Sequence, residues 1–225
     1  DVLAECCLGL LRNLALVEQN RVGLYDAGVV PVLMGVIRIQ AGHSDSNCDN
    51  NDSNTQKSID HACATLWNIA VQVDNQLKIY QLDVVPELLI IARGMDKKAS
   101  CVEYIIGLFR ALHVQKANVL SSLDTDIILF LYDMLANGAP SARIQAAAAL
   151  WNIASVEEGR KVILRDAALV INLLFEVVED ELDPFPASNI SVEFVFGALR
   201  SLTCEEKCCH LMVNPERMEV LKSQL

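Results

Sequence analysis

Two patterns in this chain hold residue types that could do chemistry. The first is the run Cys204, Cys208, Cys209 and His210, because thiolate sulfur and imidazole are ligands that zinc prefers. Successive helical residues diverge by about 100°, so Cys208 and Cys209 point apart and a second ligand pair would have to come from elsewhere. The alternative use is as small apolar side chains packed inside the fold, and no metal site is expected. The eight cysteines include no CxxC pair and read as reduced thiols. His43, His61, His113 and His210 lie far apart, and none stands in a nucleophile elbow or a metal-ligand helix pair. No glycine-rich phosphate loop follows a strand pattern, so neither an enzyme nor a cofactor is expected.

The second pattern is a recurrence. LWNIA stands at Leu66 to Ala70 and again at Leu150 to Ala154, with looser copies LRNLA, FRALH and LRSLT elsewhere. Aligning Asn13, Asn68, Ala111, Asn152 and Ser201 gives spacings of 55, 43, 41 and 49 residues. With 100° per residue counted from the aligned position, the residues six, five and two back and one forward fill a single arc. They are apolar in every copy, from Cys7, Leu8, Leu11 and Leu14 to Val195, Phe196, Leu199 and Leu202, and this arc is expected to be buried.

The opposite arc is equally regular, and it supplies the candidate binding residues. Eight back stand Glu5, Asp60, Glu103, Ile144 and Glu193; four back stand Gly9, Ala64, Gly107, Ala148 and Gly197. One back stand Arg12, Trp67, Arg110, Trp151 and Arg200, beside the aligned Asn13, Asn68 and Asn152. If the helices stack side by side, these rows become ladders on one exposed wall. An Asn amide both donates and accepts, so such a row can pair with the backbone of an extended peptide; the alternative is a bond to an adjacent loop. An indole offers flat area to aliphatic stems and cations, or it packs into the neighbouring repeat. The acids suit basic partner residues, or else support the first helical turn and pair with cations nearby.

The elements that must position these rows follow one order. A long first helix, about Asp1 to Leu16, leads through a connector, Glu18 to Asp26, and Gly28 to a second helix from Val29 to about Ile39, with Pro31 in its first turn. Val84, Val85 and Pro86 repeat that entry, and further cycles are expected at about Val102 to Leu135, Ala142 to Val178 and from Val192. Residues 41–58, rich in Asn, Asp and Ser, are expected to form a polar loop insertion, and 179–190, with Pro184 and Pro186, a shorter one. The rest reads as a single array over residues 1–225. The first helix has no preceding helix to cover it, so a fragment of a longer array is expected.

Composition is consistent with this. Of the 225 residues 52% are apolar but only 5% aromatic, which suits repeats that pack on their neighbours. A formal charge of −11 with no clustered cations disfavours nucleic acid and favours basic partners. No run of about 18 apolar residues marks a membrane span, and no secretory signal is seen, so a cytoplasmic location is expected, with a nuclear or cytoskeletal one as the alternative.

The segments GLLRNLALVEQNRVGLYDAGVVPVLMGVI (Gly9 to Ile37) and GALRSLT (Gly197 to Thr203) resemble armadillo repeats, the family of β-catenin, plakophilin and importin-α. HEAT repeats are the near alternative. The resemblance implies an all-α, right-handed superhelical solenoid of three-helix repeats, about four full ones plus partial ends. It implies a non-enzymatic scaffold or adaptor whose third helices line a groove for an extended partner segment, with Asn13, Asn68 and Asn152 at the Asn-ladder positions. Ala111 and Ser201 break that ladder, and Gly or Ala stands where importin-α carries its Trp. A structural subunit of a cytoskeletal or ciliary assembly and a nuclear transport receptor are the alternative functions. Substitution of Trp67, Asn68, Trp151 and Asn152 is expected to abolish partner capture without lowering the melting temperature.

Overall fold

The computed structural model describes residues 2–42, 53–123, 126–182 and 189–222, and among them every regular element is helical. A long helix, a short helix and a third helix follow one another five times. The first cycle is α1 (Val2–Leu16), α2 (Asn20–Asp26) and α3 (Val29–Gly42). The second is α4 (Ser53–Ala70), α5 (Val73–Tyr80) and α6 (Val84–Gly94), and the third α7 (Ser100–Leu112), α8 (Lys116–Ser122) and α9 (Ile127–Asn137). The fourth is α10 (Pro140–Ala154), α11 (Glu157–Ile163), a 3-10 turn (Leu164–Asp166) and α12 (Ala167–Leu182). The fifth is α13 (Asn189–Leu202), α14 (Glu206–Met212) and α15 (Pro215–Lys222).

Three boundaries differ from the sequence reading. The connector expected at residues 18–26 contains α2, which is too short and too polar to show an apolar period. The polar insertion expected at 41–58 is narrower: α3 runs on to Gly42, and Ser53 to Ser58 already belong to α4. Tertiary contacts override the polar composition there, since Ser58 is buried and Lys57 faces Glu5 of α1 at 3.8 Å. Residues 43–52 lie outside the described ones. The insertion expected at 179–190 likewise begins and ends in helix, with α12 reaching Leu182 and α13 starting at Asn189; residues 183–188 lie outside the described ones.

The turn into the third helix has a backbone reason. Gly28 takes φ 75, in the left-handed region that costs glycine nothing, and Asp83, at the same place one cycle on, takes φ 55. Asp is among the few side chains that tolerate this region, so the corner is kept without glycine. Pro31 and Pro86 follow inside the first turn, where a missing N–H breaks no helical bond.

Residues cluster into two compact units, Asp1–Asn118 and Val119–Leu225. In the first, α4 packs between α1 and α7, while α3 covers α4 and α6 covers α7. Its core includes Leu33, Ile37, Leu66, Ile69, Leu88, Ile105, Leu108 and Phe109. In the second, α10 packs on α13 and α9, and α12 packs on α13. In its core Ala146, Ala147, Ala149, Leu150 and Ile153 of α10 are buried with Leu131, Leu174 and Val195, and Phe130, Tyr132 and Phe175 are buried as well. No single described helix is long and apolar enough to cross a membrane. The α2–α3 pair has the length and composition of a broken span but is bent by 73°, and α3 packs on α4.

The apolar arc is buried in α4, α7 and α10, as its spacing requires, but not throughout. In α1, Cys7 and Leu14 are exposed, because no described element covers that side. The opposite arc is not wholly exposed either: Ala64, Gly107, Ala148 and Gly197 are buried.

The helical corners depend on a row of amides that the LWNIA alignment passes over. Seven residues beyond the aligned position, Asn20, Asn75 and Asn118 donate to the carbonyls of Leu14, Ile69 and Leu112 at 3.1, 3.0 and 2.8 Å. Each supplies a second donor to a carbonyl at the end of the long helix, whose backbone partner is the N–H three residues on, at 3.3 Å. Asn75 also donates to Arg21 O at 3.1 Å, tying α5 to α2. In the fourth cycle Gly159 takes this place, and a Cβ there would stand 2.2 Å from Ile153 O, so the helix sits too close for any side chain.

Candidate functional site

The aligned positions fall on two sites, one in each unit. In the first unit Glu5, Arg12 and Asn13 come from α1, Asp60, Trp67 and Asn68 from α4, and Glu103 and Arg110 from α7. In the second, Trp151 and Asn152 come from α10, and Glu193 and Arg200 from α13.

The tryptophans explain the small residues. A Cβ built on Gly107 would lie 2.6 Å from Cε2 of Trp67, and one on Gly197 would lie 2.6 Å from Cδ2 of Trp151. Each indole therefore lies flat on the backbone of the next long helix, at the one position where that helix has no side chain. The ring is flanked by a second aromatic: Tyr104 with its centroid 6.1 Å from Trp67, and Phe194 at 6.3 Å from Trp151. Both tryptophans remain half-exposed, so the packed indole also keeps an edge toward solvent. Tyr104 and Phe194 escaped the sequence reading. The signal was present, since each stands three residues before the glycine that follows a Trp-bearing cycle, while the Trp-bearing helices carry Ala64 and Ala148 instead.

Around Trp67 the surface dips into a cavity of about 170 Å³ lined by Trp67, Val71, Gln76, Arg110, Ala111 and Val114. Asn68, which follows Trp67 in α4, is half-exposed, and among the described residues its amide has no hydrogen-bond partner. Burial pushes the Arg110 guanidinium pKa down, because the charged form loses hydration there. Arg12 lies with Cζ 5.9 Å from the Tyr104 centroid, so α1 sends a cation to the aromatic pair of α4 and α7. Ala111, where the Asn row breaks, is buried in the cavity wall.

The acids are less available. Glu5 faces Lys57 at 3.8 Å, and Asp60 accepts from Gln56 Nε2 at 3.0 Å. Glu103 is half-buried, and Glu193 is exposed. The acid row stands seven residues before the Arg and Trp row, about 10 Å along each helix. Asn13 and Arg200 are exposed, and Asn152 is half-exposed.

The thiols and imidazoles do not assemble. Cys208 is buried while Cys204, Cys209 and His210 are exposed, and Cys209 donates to Thr203 O at 3.3 Å. Among the described residues no three His, Cys, Asp or Glu side chains are grouped to share an ion. His113 is buried with Nδ1 2.6 Å from Phe109 O, and burial lowers its pKa to about 4, so it is a neutral core donor. Cys101, between Gln56 Nε2 at 3.6 Å and Met95 Sδ at 3.4 Å, is pushed up to about 11 by burial, and Cys63 is raised by the same cause. Both are therefore protonated, unreactive thiols.

No family model matches the chain, and no curated protein is found similar to it.

Proposed function

We propose that this chain is a non-enzymatic interaction scaffold, built of armadillo-type repeats, that holds an extended segment of a partner protein against the surface of Trp67 and Asn68. The observation that carries the reading is the cavity of Trp67, Val71, Arg110 and Val114, with the half-exposed Asn68 next to Trp67 in the sequence of α4. An amide can pair with a peptide N–H and C=O together, which holds a backbone without selecting its side chains. The cavity takes one aliphatic side chain between the indole edge and the two valines, and Arg110 favours a polar or acidic neighbour there. Basic side chains of the same segment reach the acid row about 10 Å away. Regular helical cycles and an indole seated between adjacent helices are what an array of stacked repeats requires, and they support the armadillo assignment.

The test is selection of a random twelve-residue peptide library on the whole chain, followed by binding of the enriched peptides to variants. Val71→Asp alters an exposed residue of the cavity lining, and Asn68→Arg the half-exposed amide that follows Trp67. They are expected to weaken the selected peptides at least tenfold, about 1.4 kcal/mol, with an unchanged unfolding midpoint. Peptides that bind the double variant as well as the parent chain sink the proposal.

A further inference from the structure

The fourth corner is built unlike the first two. Gly28 and Asp83 enter their third helices through the left-handed region. Asp166, immediately before α12, instead ends the 3-10 turn Leu164–Asp166, and Ala167 after it is already helical at φ −51 and ψ −44. Residues three apart share a face in such a turn and in the helix that leads into it, so Val162 and Arg165 point the same way.

That face lines a cavity of about 370 Å³, more than twice the volume at Trp67. Its apolar side is Ile128 and Tyr132, both buried, with Leu123 and Val162 half-buried. Its open side carries Asp126, Arg165 and Asp166, all exposed, and every lining residue belongs to the second unit. The Tyr132 hydroxyl donates to Ile163 O at 2.8 Å, which holds the ring as a wall and leaves its face for contact. Burial raises the Tyr132 pKa and the charge of Asp166 raises it further, so that carboxylate acts on the same wall. Among the described residues neither Arg165 nor Asp166 has a hydrogen bond or ion pair, with each other or with a third group.

We propose that this cavity binds a free amino acid with a large apolar side chain. The side chain covers Ile128 and Tyr132, the carboxylate takes the fork of Arg165, and the ammonium lies against Asp166 and Asp126. Ligand cavities run from roughly 300 to 1,000 Å³, and this one is at the small end, which suits a molecule of that size. The pattern of charge sets the class. An apolar amine leaves the guanidinium unmet, an apolar acid sits beside two carboxylates, and a zwitterion meets both signs while its body covers the apolar wall. The site is separate from the Trp67 cavity and does not depend on the reading given to that cavity.

The probe is L-phenylalanine, titrated into the whole chain by saturation-transfer NMR. Phenethylamine and 3-phenylpropanoate, which lack the carboxylate and the ammonium respectively, serve as the comparison. L-Phenylalanine is expected to bind saturably and each analogue at least tenfold more weakly. Arg165→Ala is expected to weaken L-phenylalanine at least tenfold and leave phenethylamine as it was, and Asp166→Asn to weaken L-phenylalanine and not 3-phenylpropanoate. Circular dichroism of both variants is expected to match the parent, since both positions are exposed. Absence of saturable L-phenylalanine binding, equal binding of the three probes, or L-phenylalanine binding that survives both substitutions overturns the proposal.

Discussion

A side chain at Gly107 has to displace the indole of Trp67, whose Cε2 would be 2.6 Å from the new Cβ. Alanine ordinarily gains about 1 kcal/mol over glycine inside a helix, while overpacking a filled site costs about 1–3 kcal/mol, so the clash wins. Gly107→Ala and Gly197→Ala are expected to lower the unfolding free energy by up to about 2 kcal/mol and to change tryptophan emission. Gly35→Ala is the control: a Cβ there meets nothing within 4 Å, so it is expected to stabilise by up to about 1 kcal/mol. Denaturant titration followed by fluorescence separates the two outcomes. The same packing corrects the expectation that truncating Trp67 or Trp151 leaves the melting temperature alone, because each ring fills space between two helices. His113 adds a pH dependence. Its folded pKa is near 4 and its ordinary value 6.5, so the unfolded chain binds the proton more readily between these values. The contribution of His113 is therefore full above pH 6.5, declines as pH falls toward 4 and is flat below, by up to about 3 kcal/mol. Urea unfolding at several pH values is expected to show a steeper decline between pH 6.5 and 4 in the parent than in His113→Leu.

Among the elements, the corners between long and short helices are held by side-chain amides more than by caps within each helix. Asn75 is fully buried and bonds two carbonyls from two different segments. Asn75→Ala removes the donor but leaves both acceptors where they are, and the expected loss is about 1–3 kcal/mol. Asn68→Ala, at the aligned position on a half-exposed face, is expected to change stability by less than about 0.5 kcal/mol. Thermal melts of the two variants side by side test this; equal losses would contradict the division into a structural and a displayed Asn row. The two rows are both legible as Asn in the sequence, seven residues apart. Only the fold shows that one set turns inward at the corner while the other remains on the displayed face.

For the molecule as a whole, the charge of −11 sets which partners approach. Cations such as Arg12 and Arg110 are single residues seated among aromatic and apolar groups, not a basic stripe that could follow phosphates. A labelled DNA duplex is therefore expected to show no saturable binding at about 150 mM salt, and saturable binding there would contradict the reading. Basic peptides selected on the chain are expected to weaken as salt rises, because the attraction is between solvated charges.

The all-helical class, the order of the cycles and most of the buried arc were determined by the sequence, because apolar spacing at 3.6 residues and the Gly28 and Pro31 corner are local properties. Which glycine faces which tryptophan, which asparagine is buried, and that Ser53 to Ser58 join a helix depended on neighbours far along the chain. The exposure of Leu10 against the burial of Thr65 shows the limit of pattern most directly. Hydrophobicity says which face a helix would bury, and only tertiary packing decides whether a neighbour is there to bury it.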